Sequence, residues 1–101
     1  MEVDKIKKFL QSYLDSVIVP KVNKELASEE NDEPIKMEVF QVLKGSYQPP
    51  IYHVFIDIEP NWESYRKKTE IYISDFMKIL SIPYRIKIHW NKRPSIKDSK
   101  K

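Results

Sequence analysis

Six apolar residues, Ile6, Leu10, Leu14, Ile18, Val22 and Leu26, fall on every fourth position near the start of the chain, with Val3, Tyr13 and Val17 beside them. The spacing is helical. Four residues overshoot a turn of roughly 3.6 by about 40°, so a strict fourfold row winds around its own helix and drifts off any single flat partner. Pro20 lies inside the row. It lacks the N–H that would reach the carbonyl of Ser16, and its ring crowds the preceding turn. The pattern predicts a helix over residues 2–19 and a bent continuation over 20–27 that re-aims Val22 and Leu26.

The stretch IYHVFIDIE, 51–59, has a period of two. Tyr52, Val54, Ile56 and Ile58 point to one side, and His53, Phe55, Asp57 and Glu59 to the other, which predicts a strand with a single core face. An earlier strand, IKMEVFQVLK, places Ile35, Met37, Val39 and Leu43 on one face and Phe40 and Val42 on the other. GSYQPP between them holds the only glycine and predicts a wide hairpin with Tyr47 near its tip. After Pro60, Asn61 is a candidate N-cap and Glu63 a first-turn acid. The second helix then carries Trp62, Tyr65, Tyr72, Ile73, Phe76, Met77, Ile79 and Leu80 until Ile82 and Pro83 stop it. The last strand, YRIKIHW, turns Tyr84, Ile86, Ile88 and Trp90 inward and Arg85, Lys87 and His89 outward.

The order is α-β-β-α-β. A hairpin pairs the first two strands antiparallel, and a right-handed crossover sets the third parallel to the second. The predicted class is α+β: a two-layer sandwich with a three-stranded mixed sheet, two helices on one face and the other face open. Residues 1–91 form one domain and residues 92–101 a basic mobile tail. ASEENDEP, 27–34, is an acidic linker.

Composition excludes several chemistries. There is no cysteine, hence no disulfide and no thiolate zinc site, and the expected setting is a reducing compartment or an assembled particle. One glycine cannot build a Walker loop or a dinucleotide fingerprint. His53 and His89 are the only imidazoles, so no metal, cofactor or catalytic site is expected. Two-residue spacing puts His53 and Asp57 about 13 Å apart along the strand. A cross-strand meeting of His89 with Asp57 is the one arrangement that would orient a general base.

No apolar run approaches the ~18 residues of a membrane span, and MEVDKIKKF lacks a signal-peptide core, so a cytoplasmic protein, or one incorporated in a virion assembled there, is expected. Lysine far exceeds arginine and isoleucine exceeds leucine, an AT-rich codon usage common in phages. The formal charge of +3 is concentrated at the end: Lys92, Arg93, Lys97, Lys100 and Lys101 face one acid, Asp98, leaving 13 bases and 14 acids before them.

Phe40 and Phe55 on the open face, with His53 and the Tyr47 loop, predict contacts to other protein subunits, because an apolar patch with a polar rim marks a partner surface. The element order also resembles a type II KH domain over residues 2–91. That family binds RNA or single-stranded DNA through a Gly-x-x-Gly loop between two helices, and the comparable region here reads YRKKTE, without glycine. The resemblance implies an alternative, a degenerate nucleic-acid binder using Arg66, Lys67, Lys68, Arg85, Lys87, Lys92 and Arg93.

Overall fold

A computed structural model describes residues 2–26, 34–46, 50–80 and 85–94. The acidic stretch 27–33, Tyr47, residues 81–84 with Tyr84, and the tail residues 95–101 lie outside the described residues. The elements are α1 (Val3–Tyr13), a π-turn (Leu14–Ile18), α2 (Val19–Leu26), β1 (Lys36–Lys44), β2 (Ile51–Glu59), α3 (Glu63–Ile79) and β3 (Arg85–Trp90). This is the expected α+β fold, with α1 and α2 forming one continuous helix through the π-turn and α3 the second. The strands lie in the order β1-β2-β3, β2 antiparallel to β1 and parallel to β3.

The helix does not split at Pro20. The Val19 N–H instead reaches back five residues to the Leu14 carbonyl, which widens the turn just before the proline and relieves the ring's clash with it. The same turn solves the phase problem of the fourfold row. From Ile6 to Val22 a regular α-helix would rotate the row by roughly 160°, whereas absorbing one extra residue reduces this to roughly 60°. Ile6, Leu10, Leu14, Ile18 and Val22 are accordingly all buried on one side.

The strand β1 is re-phased in the same way. Its register against β2 jumps between Val39 and Gln41, leaving Phe40 as an extra bulged residue. This corrects the face assignment: Val42 returns to the core beside Ile35, Met37 and Val39, all at most 7% exposed. Leu43, opposite His53, goes to the open face. The core is completed by Tyr52, Val54, Ile56 and Ile58 from β2 and by Tyr65, Ile73, Phe76 and Met77 from α3. Ile86, Ile88 and Trp90, expected to point inward, are only partly buried against it, as is Tyr72 of α3.

The helices are tied to the sheet and to each other by specific contacts. The Gln11 side chain accepts from the Val39 N–H at 2.6 Å and donates to the Met37 carbonyl at 3.4 Å, while Asn23 accepts from the Ile35 N–H at 2.9 Å. These polar groups cover the outer edge of β1, where unpaired backbone would otherwise face water. Tyr13 stacks on Phe76 with centroids 4.5 Å apart. The buried Thr69 donates to the Met37 sulfur at 3.7 Å. Tyr72 donates to Glu25, which pushes the phenol pKa up to about 12.

Two further helix assignments are corrected. Trp62, 41% exposed, is the N-cap residue of α3, and Asn61 accepts from Arg66 Nη1 through both its side-chain and main-chain oxygens instead of capping a backbone N–H. Ile79 closes α3 but is 70% exposed.

Truncating Ile56, wholly buried on the central strand, to Ala is expected to cost about 2–5 kcal/mol. Gln11→Ala is expected to cost about 1–3 kcal/mol, because it strips the Val39 N–H of its acceptor. Denaturant midpoints measured with an unchanged m-value check both.

Candidate functional site

The candidate site is the sheet face away from the helices. Its rows follow the register: Leu43–His53–Lys87, Gln41–Phe55–His89, and Glu38–Asp57 toward one end. Alternation and the parallel crossover therefore bring His53, Phe55, Asp57 and His89 together as four neighbours on two strands.

They do not pair as a general base would require. His89 meets His53, with His53 Nδ1 and His89 Nε2 3.0 Å apart, one donating and the other accepting. Asp57 is held elsewhere, accepting from Nη1 and Nη2 of Arg93 at 2.8 and 3.0 Å. The His89–Asp57 arrangement does not form.

Phe55, expected to project into water, is only 6% exposed and stacks on His89 with centroids 4.5 Å apart and planes within 12°. It sits between Gln41 and His89 across the strands, so the ring is walled in by its own face. Phe40 is 39% exposed, and the Arg93 guanidinium lies 3.8 Å from its ring centroid. Tyr47 lies outside the described residues.

Arg93 corrects the boundary of the tail. Asn91 has φ 53°, a left-handed conformation that asparagine tolerates. Its N–H donates to the Ile56 carbonyl at 2.8 Å, and its side chain accepts from the Ile58 N–H at 2.7 Å and donates to the Ile58 carbonyl at 3.2 Å. The amide thus extends the β3 ladder by one residue while the backbone turns onto the open face, and Arg93 lands on Asp57 and Phe40. Residues 92 and 93 belong to the folded unit. Composition gave no sign of this; an Asn directly after an alternating strand was the available signal.

The electrostatics follow from these contacts. The hydrogen bond and charge of Arg93 hold the Asp57 carboxyl below its ordinary range, against the smaller opposing effect of burial. Burial, then the charges of His53, Lys87 and Lys92, push the His89 pKa down, which favours the neutral form of its imidazole.

Of the cations implied by the KH resemblance, Lys67 pairs with Glu63 at 3.5 Å, Lys68 with Glu25 at 3.9 Å and Arg93 with Asp57. The YRKKTE region lies within the continuous α3. Arg66, Lys87 and Lys92 line one depression beside Trp90. Among the described residues no three His, Asp or Glu side chains gather to hold a metal ion, and no helix is long and apolar enough to cross a membrane. Compared with known protein families, curated proteins and solved structures, the chain matches none.

The lowered His89 pKa has a definite sign for stability. The unfolded chain takes up this proton near pH 6.5 and the folded chain only at lower pH, so stability falls as pH drops from about 6.5 toward the folded value. His89→Gln is expected to flatten that part of the stability–pH curve, which urea unfolding between pH 7.5 and 5 measures. Equal slopes in both proteins would show that His89 is not the group concerned.

Proposed function

We propose that the chain is a non-catalytic subunit or adaptor of a larger protein assembly, with a phage virion as the setting its composition suggests. One observation carries the proposal. The groups on the open face that could do chemistry, His53, His89 and Asp57, are committed to one another or to Arg93, while the Phe40 ring stays 39% exposed beside them. A half-exposed ring held flat under a guanidinium is a contact surface rather than a reaction site, and aromatic and arginine side chains are the usual anchors of protein interfaces. The depressions lined by Lys36, Met37 and Asp57 and by Arg66, Lys87 and Trp90 are open to solvent rather than enclosed.

A second proposal, nucleic-acid binding, is favoured by the convergence of Arg66, Lys87 and Lys92 on one depression. It has less to draw on, because Lys67, Lys68 and Arg93 are already paired with acids.

The native mass of the protein in extracts of its source tests the first proposal. It is expected to exceed the 12.1 kDa of one chain, and Phe40→Ser is expected to lower it while changing monomer stability by no more than about 0.5 kcal/mol. Wild-type protein at 12.1 kDa in the native extract overturns the proposal. Tight, sequence-selective binding of a single-stranded oligonucleotide by that monomer would put the second in its place.

A further inference from the structure

The two edges of the sheet are treated differently. Gln11 and Asn23 satisfy backbone groups along the outer edge of β1. Nothing among the described residues does the same for β3. The Asn91 N–H points into β2, at the Ile56 carbonyl. Backbone groups alternate sides along a strand, so the N–H and C=O of Ile86, Ile88 and Trp90 point outward, and among the described residues they have no partner. The side chains of the same three residues lie on the core face yet are only partly buried. Among the described residues, β3 thus presents a row of free donors and acceptors beside a strip of partly covered core.

The charge along this edge is positive. Arg66, Lys87 and Lys92 border it, and among the described residues Arg66 is held by the neutral oxygens of Asn61. Glu70, the acid beside it, is engaged by the Trp90 indole N–H at 2.8 Å.

We infer that β3 takes a fourth strand in trans: an extended segment of a partner protein that alternates apolar and acidic residues. The inference rests on the protein-binding function proposed above and assigns it a second surface. The segment's backbone bonds the outward groups of Ile86 and Ile88, its apolar side chains extend the core over Ile86, Ile88 and Trp90, and its acids lie beside Lys87 and Lys92. Strand addition of this kind draws affinity from main-chain hydrogen bonds and specificity from alternate side chains. A second copy of this chain is the wrong occupant. A symmetric pair of β3 edges runs antiparallel with faces matched, so every register sets the row Arg85, Lys87, His89 against itself, and like charges directly opposite repel. Edge lysines block such self-pairing, and the same lysines attract an acidic strand.

The test uses the full chain and a capped seven-residue peptide alternating Glu and Val, with a Lys and Val peptide as control. At millimolar peptide, amide hydrogen exchange at Ile86 and Ile88 is expected to slow at least tenfold with the Glu peptide and not with the control. Lys87→Glu, an exposed substitution, is expected to weaken binding at least tenfold. Ile88→Pro deletes an outward N–H at an edge where proline is tolerated and is expected to abolish it; where that variant fails to fold, Lys87→Glu alone decides. Unchanged exchange at Ile86 and Ile88, or stronger protection by oligothymidylate than by the Glu peptide, overturns the inference. If the native protein is an assembly whose mass neither variant alters, the β3 inference fails and the protein-binding function stands. If the native protein is a monomer, that function fails first.

Discussion

The amide of Gln11 acts as a substitute neighbour for β1, accepting from Val39 and donating to Met37 as the backbone of a further strand would. The position of this contact organises the rest. Three residues beyond Gln11 the helix enters its π-turn, and one residue beyond Val39 the strand bulges at Phe40. Helix and strand are therefore pinned together just before each departs from regular geometry, and both departures have the same effect. Each inserts one residue that the regular repeat has no place for and returns the following apolar residues, Ile18 and Val22 in the helix and Val42 in the strand, to a single core.

The elements with unambiguous periods were legible in the sequence. The alternation of β2 gave its two faces correctly because a central strand bounded by a turn and a proline offers no competing phase. The fourfold row and Pro20 together marked a departure from regular helix, read as a bend after residue 19, whereas the structure places a π-turn at Leu14–Ile18, before the proline. β1 was misread in its second half because apolar residues on both faces fit an unbroken strand with two apolar faces as well as a bulged strand with one. Local sequence does not distinguish these; the register against β2 does. Within the candidate site, the face shared by His53, Phe55, Asp57 and His89 was legible, but their pairing was not. His89 lies opposite Phe55, two residues from both His53 and Asp57, so its partner depends on a parallel register that the long crossover through α3 does not encode locally and on Arg93 taking Asp57.

The docking of Arg93 was hidden for a different reason. A basic run without periodicity reads as solvated chain, and the residue that redirects it, Asn91, acts through its amide and its left-handed backbone rather than through hydrophobicity. One consequence is that the basic terminus is neutralised in part. Its arginine is bound to the carboxylate at the end of the open face, while Lys92 beside it joins Arg66 and Lys87 along the β3 side.

The two extra residues also determine where this chain can change length. Removing one residue from a regular helix or strand turns everything beyond it by about 100° or flips it to the opposite face. Loss of Phe40 would instead restore an unbroken ladder with Met37, Val39 and Val42 still facing inward. Loss of one residue from the π-turn would likewise keep Ile6 and Val22 in phase, but it would bring the ring of Pro20 back against the carbonyl four residues before it. Single-residue deletions are therefore absorbed cleanly at the bulge, at some cost to the helix at the π-turn, and elsewhere in these elements only by disrupting the core.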